Sequence, residues 1–346
     1  MQQLAAAEPP DATALPPARG PWRGRSVAAF AVGALILALL IYYSELDAIH
    51  EHMGALGWSS PLVLLPYLIV NVLDTLGWRC TLPPVAAARV PFVSLYLTRM
   101  AGEAVNSLTP TAAVGGEPVK AHVLRAFGVS TSDGLASVVI AKTALTVSQI
   151  TFILIGLAAL FDRLERRPLG AALLAVLLVA AAAFVMLMVR MQRRRPASTV
   201  WGWLGRVVPR AAFVARLESR AQAIDARLAE FYRIEGPAFR RATLFHLVGW
   251  LLGVVEVWLV MVLIGEPLAW RDALIIEALA QPIRAAALVI PGGLGAQEVG
   301  GVALCSFLGI AEPVGLTLWL LKRGREFVFD GVGLVYLTRR AAVAPR

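Results

Sequence analysis

Two glutamates, Glu117 and Glu298, stand in matching glycine-rich surroundings. Glu117 closes the stretch Pro110-Thr111-Ala112-Ala113-Val114-Gly115-Gly116-Glu117. Glu298 closes Pro291-Gly292-Gly293-Leu294-Gly295-Ala296-Gln297-Glu298. A shift of 181 residues superposes the two acids and also brings Gly128 onto Gly309, Gly134 onto Gly315, Leu135 onto Leu316 and Lys142 onto Arg323. Glycines let backbone N–H groups approach a ligand closely, and a helix N-terminus attracts phosphate. A carboxylate at such a start can bind a proton, a cation or an amine, or it can do no more than favour the helix macrodipole. Lys142 and Arg323 would complete the neutralisation of a phosphate. The candidate binding set is Gly115, Gly116, Glu117, Lys142, Gly292, Gly293, Gly295, Glu298, Arg323 and Glu326.

These groups sit in an apolar chain. Of 346 residues, 58% are hydrophobic and only 16% charged, against about 25% in an ordinary soluble domain. Mean hydropathy is +0.70. A charge at membrane depth costs about 2.5–3.5 kcal/mol on insertion scales, so it needs a partner or a wet cavity. Lys322, Arg323, Arg325, Glu326 and Asp330 crowd one apolar segment. Lys322, Glu326 and Asp330 are spaced to pair along one helix face. Such a face either lines a cavity or forms a buried network that only holds helices together. Weaker signals are Asn71, Asp74 and Trp78, then His246, Gly253 and Glu256, then Lys142 and Gln149, each set sharing a helix face. Glu103, Asn106, Glu277, Gln281 and Arg284 precede the two glycine-rich breaks. Taken singly, such residues are more often interhelical hydrogen bonds than ligand contacts.

Other chemistries find no support. Neither GxxxxGK[ST] nor GxGxxG occurs. Ser and His form no recognised nucleophile–base pattern, and Cys80 and Cys305 belong to no metal or disulfide motif. No catalytic group, metal or cofactor is expected. A net charge of +9 with no nucleic-acid motif reads as arginine in cytoplasmic loops rather than as nucleic-acid binding.

The elements that must position the candidate groups are spanning helices. The sequence predicts spans near 26–45, 61–78, 134–161, 168–190, 241–264 and 312–337, after a disordered tail over 1–25. The regions 91–130 and 272–310 are too broken for single helices and too apolar for loops. Irregular backbone at membrane depth survives only where protein buries it or a cavity hydrates it, so each reads as a re-entrant hairpin broken at its proline–glycine segment. The expected fold is an all-α polytopic membrane protein with six full spans plus two hairpins, forming one domain over 26–340. Repeat 1 covers about 91–161 and repeat 2 about 272–337. Arginines before the first span, after the fourth and after the sixth place both termini in the cytoplasm. Three full spans separate the hairpins, and that odd number makes the repeat inverted. The basic segment 191–240 contains an amphipathic stretch, 211–235, that either lies in the interface or packs under the bundle.

The second glycine-rich motif resembles the signature of the lysylphosphatidylglycerol synthetase transmembrane family, the flippase-like membrane domain. Pro110 to Glu117, followed by Lys120 and Arg125, resembles its partner motif, although Thr111 to Val114 lack the basic residue often found there. The resemblance spans roughly 26–340. It implies a stand-alone membrane module of the bacterial inner membrane, without the aminoacyl-transferase domain, that handles lipids. Its partners would be phospholipid, hopanoid or isoprenoid lipids. The reading favoured is a lipid translocase binding an anionic or zwitterionic head group between the hairpins. The alternatives are an integral-membrane transferase acting on an isoprenoid or polyprenyl lipid, and a non-transporting partner of lipid-biosynthesis enzymes.

Overall fold

The computed structural model describes residues 46–109, 115–164, 167–193, 211–287 and 293–343, with Leu35, Tyr42 and Ile290 besides. The tail, most of the span expected over 26–45, and Pro110, Pro291 and Gly292 lie outside the described residues. Among those described, every element is helical. In chain order they are α1 (Leu46–Leu56), α2 (Leu64–Arg79), α3 (Pro84–Arg89), α4 (Phe92–Leu108), α5 (Gly116–Leu124), α6 (Thr131–Arg163) and α7 (Arg167–Arg193). Then follow α8 (Ala211–Ile234), α9 (Gly236–Leu263), α10 (Trp270–Ala286), α11 (Ala296–Phe307) and α12 (Glu312–Val343). Among the described residues, four stretches are long and apolar enough to cross a bilayer: Ile49–Arg79, Thr131–Arg163, Gly170–Gln192 and Gly236–Leu263.

The first of these is longer than the span read at 61–78. Residues 46–60 are not a loop: α1 continues through a 3-10 segment, Gly57–Val63, into α2. The sequence explains this, because Ile49 and Leu56 recur at helical spacing and both are buried. The sixth expected span is one unbroken helix of 32 residues, about 48 Å long. Its central charges keep it out of the apolar class. Along α7, Val176, Val179, Met186 and Leu187 are all exposed, as a lipid-facing helix requires.

Both glycine-rich regions are hairpins. α4 stops at Leu108 because Thr109 precedes Pro110. A residue before proline is pushed to the extended region, and Thr109 sits at φ −111°, ψ 137°. α10 and α11 flank the second break, where Gly293 and Gly295 adopt φ +63° and +76°, a region open mainly to glycine. In the first hairpin Asn106 meets Gly116 and Gly102 meets Lys120. Ser130 then starts α6 by accepting the Asp133 N–H.

The helices pack in crossed pairs. α2 runs antiparallel to α9, with Val70 against Gly249 and Gly77 against His246. α4 runs antiparallel to α12, with Met100 against Gly333 and Ser107 against Asp330. α10 runs antiparallel to α6, with Gln281 against Gln149, Ala278 against Gly156 and Asp272 against Arg163. The first hairpin thus packs along the last helix, and the second hairpin along the helix that follows the first. Small residues at these crossings let the backbones close in. α8 packs under the bundle: Leu228 and Phe231 are buried against Ala136 and Ile140 of α6, and Arg227 reaches Asp133 and Glu235.

A Cβ at Gly333 would lie 2.4 Å from the Met100 carbonyl oxygen, whereas one at Gly331 would meet nothing within 4 Å. Gly333→Ala is therefore expected to cost about 1–3 kcal/mol by overpacking. Gly331→Ala should leave thermal unfolding in detergent unchanged. Equal melting of the two variants would contradict the crossing of α4 and α12.

Candidate functional site

A cavity of about 220 Å³ opens between α2, α4, α5, α6, α9 and the second hairpin's first arm. Asp74, Arg99, Glu103, Glu117, Lys120, Lys142, His246 and Arg284 supply its polar wall. Tyr67, Trp78 and Trp250 supply much of its apolar wall. Both tryptophans are held by their indole N–H: Trp78 donates to Ser137 and Trp250 to Ser148, at 3.2 and 3.1 Å.

The charges are wired in sequence. Arg99 donates to Asp74 and to Asn71, at 2.5 and 2.6 Å. The other Asp74 oxygen lies 2.7 Å from His246 Nδ1. Lys120 donates to Glu103 at 2.6 Å and to Glu117 at 3.0 Å. Lys142 approaches Glu117 only to 3.7 Å, and its side chain is 45% exposed. Arg284 touches Glu326 at 3.5 Å, while its buried Nε has no hydrogen-bond partner among the described residues. Lys142 and Arg284 therefore carry the spare donor capacity of the cavity wall.

A second charged cluster is closed. Lys322 sits between Glu277 at 2.6 Å and Glu256 at 3.6 Å, and Arg325 lies 2.6 Å from Glu256. All four side chains are at most 4% exposed. Arg323 joins Glu298 to Glu326, at 2.6 and 2.9 Å. This corrects the pairing expected along α12. Lys322 pairs across helices instead of with Glu326, and Glu326 pairs with Arg323 and Arg284 instead of Asp330. Burial decides it, because a charge deep in the bundle gains most from carboxylates on facing helices that share its dry environment.

The structure divides the ten candidate residues. Glu117 and Lys142 line the cavity, with Gly116 directly behind Glu117 in α5 and Gly115 adjoining it. Glu298, Arg323 and Glu326 belong to the closed side, and Glu326 contacts Arg284 of the cavity wall. Gly293 and Gly295 shape the turn before α11, and Gly292 lies outside the described residues. Gly116 does not offer its N–H to a ligand, since Asn106 Oδ1 accepts it at 2.7 Å. Its glycine is needed because a Cβ would fall 1.9 Å from the Gly102 carbonyl oxygen. Glu117 is not a pure helix-start acid, because it serves Lys120 and Lys142. Arg99, Tyr67 and Trp250 were missed. A signal for Arg99 existed, since positions 99, 103 and 106 form one polar stripe on α4. Asp74 and His246, which read singly as helix glue, turn out to be one pair.

Breaking one partner of a buried ion pair leaves an uncompensated charge and costs about 3–5 kcal/mol. Lys322→Met should therefore lower thermal stability in detergent by that amount. Lys142→Met, at an open and weakly paired position, should change it by less than about 1 kcal/mol. Comparable losses in the two would show that the cavity side is as locked as the other.

The sequence pattern of the lysylphosphatidylglycerol synthase TM region matches residues 26–332. A UPF0104 membrane protein of Methanothermobacter thermautotrophicus (strain ATCC 29096 / DSM 1053 / JCM 10044 / NBRC 100330 / Delta H) is 27% identical over 308 residues, which cover 84% of this chain and 88% of that relative. No solved structure matches. With its apolar spanning helices, two broken hairpins and a match over most of its length, the chain is a membrane protein of the lysylphosphatidylglycerol synthase TM-region family.

Proposed function

We propose that this protein moves lipids between the leaflets of a membrane, as a flippase-like translocase. An anionic or zwitterionic head group enters the cavity while its chains remain outside the bundle. The observation that carries this reading is the ion-lined cavity itself, set among apolar helices at the level of the first hairpin's break. Lys142 and Arg284 meet the phosphate, one from each hairpin unit. Tyr67 and the tryptophans exclude lipid chains from the charged wall. The family's name refers to a lipid-modifying protein, which fits a lipid as the ligand.

The helix directions support an inverted repeat. α2, α4, α5 and α6 correspond in order to α9, α10, α11 and α12. The antiparallel pairs α2 with α9, α4 with α12 and α6 with α10 give each element the opposite direction to its counterpart. Such repeats underlie alternating access in many transporters. Arg79, Arg89, Arg227 and Arg340 gather at the end where α2 and α12 finish. By the positive-inside rule that end is cytoplasmic, with both termini, in a bacterial inner membrane. The first hairpin then enters from the cytoplasm and the second from outside.

The two units divide the work. Lys322, Arg325, Glu256 and Glu277 of the second unit and its neighbour α9 are dry and ion-paired, so they brace the bundle, while the first unit's groups and Arg284 surround open space. Lys142→Gln and Arg284→Gln should each slow the movement of fluorescent lipid in proteoliposomes at least tenfold, with insertion unchanged in both and melting unchanged in Lys142→Gln. Wild-type rates in both variants would remove the site. Cysteines placed at Gly115 and Gly295 should label from opposite faces, and labelling of both from one face would contradict the inversion.

A further inference from the structure

We propose that the cavity selects a head group of no net charge, one that carries an ammonium beside its phosphodiester, and that Glu103 and Glu117 hold the ammonium. This deepens the lipid-binding reading and rests on it. Two observations carry it: the charge balance of the wall, and two carboxylate oxygens that share one weak donor.

Arg99, Lys120, Lys142 and Arg284 face the cavity, against Asp74, Glu103 and Glu117. Glu326, on Arg284, makes these lysines, arginines and carboxylates four against four. The closed side is even as well: Lys322, Arg323 and Arg325 against Glu256, Glu277 and Glu298. Asp330, on Ser107 outside the wall, adds no cation. A phosphodiester brings one negative charge. Alone, it would leave the set one charge negative in a medium of low dielectric, which is penalised. An ammonium on the same head group restores the balance.

The wall also has a place for that ammonium. Both oxygens of Asp74 are engaged at 2.7 Å or less, by Arg99 and His246. Glu103 Oε1 and Glu117 Oε2 both accept from Lys120, at 2.6 and 3.0 Å. Their second oxygens are poorly served. Asn106 Nδ2 reaches Glu103 Oε2 at 3.3 Å and Glu117 Oε1 at 3.5 Å. Lys142 stays 3.7 Å from Glu117 Oε1. Sharing one donor keeps these two oxygens close together, and both side chains line the cavity. Glu103 is 36% exposed, against 11% for Asp74 and 13% for Glu117. An ammonium carries three donors, enough to bridge two such oxygens. His246 turns its buried Nε2 toward Gly77, so the phosphate falls to Lys142 and Arg284. Lys142 then leaves Glu117 for the phosphate, and the ammonium takes its place on Glu117. One long ion pair is exchanged for two pairs with the ligand.

Calorimetric titration of the full-length protein, in a neutral detergent at neutral pH, decides the matter. The probes are dioleoyl phosphatidylethanolamine and dioleoyl phosphatidylglycerol, which share their chains and differ in the ammonium. The ethanolamine lipid should bind roughly tenfold or more tightly, because the dry wall penalises an uncompensated anion. Glu103→Gln removes an acceptor and leaves the wall one charge positive, so the preference should reverse. Glu117→Gln makes the same change of charge and takes its place if Glu103→Gln does not fold. Glycerophosphoethanolamine, the head group without chains, is the third probe. If it binds as tightly as the lipid, the ammonium selection stands and the ligand is a soluble phosphodiester. Equal affinity for the two lipids, or tighter binding of the glycerol lipid, would overturn the proposal and leave lipid binding intact. A preference unchanged in both variants would also overturn it, since the two glutamates would not hold the ammonium. No binding of either lipid would overturn both readings.

Discussion

A charge inside an apolar bundle must be neutralised where it lies, and that requirement organises this molecule. Seven cations and seven carboxylates are linked by ion pairs across the helices of both hairpin units, among the described residues. Helix packing here has little hydrophobic drive against lipid, so close small-residue crossings and these polar links hold the register. Arg325 illustrates the point: it lies beside Glu256, and its guanidinium sits 3.8 Å from the centre of the Tyr67 ring. One side chain thus ties α12 to α9 and to α2.

The two halves resolve the same constraint differently. Around Lys322 the carboxylates close over the cation, and these side chains are at most 4% exposed. Around Lys120 and Lys142 the pairing is looser, and a cavity survives. Arg284 and Tyr67 touch both environments. Arg284 lines the cavity and contacts Glu326 of the closed side, while Tyr67 lines the cavity and faces Arg325. A ligand that draws Arg284 toward itself would loosen Glu326 and, through Arg323, Glu298 at the start of α11. That is a physical link from head group to second hairpin, made of charges that must exchange partners.

Much of this was legible in the sequence, and the failures are specific. Helix periodicity, the paired proline–glycine breaks and the 181-residue shift pointed to two hairpins, because they are local properties of the chain. The correspondence of Lys142 with Arg323 was legible as well, but its consequence was not. Spacing alone cannot tell an open site from a filled one, since that depends on which facing helix supplies a carboxylate. Lys322 therefore looked like a partner of Glu326 one turn away, when its partners lie on α9 and α10. Asp74 and His246 are 172 residues apart, and no periodicity joins them. The glycines misled differently. Gly116 read as a place for a ligand, and it is a place for the neighbouring helix.

Native mass spectrometry of the purified protein with its co-purified lipid tests the central claim most directly, comparing the wild type with the double variant Lys142→Gln/Arg284→Gln. The account predicts a bound phospholipid on the wild type and its loss from the double variant while that variant stays folded and inserted. Equal lipid retention by the two proteins would contradict the assignment of the cavity as the head-group site.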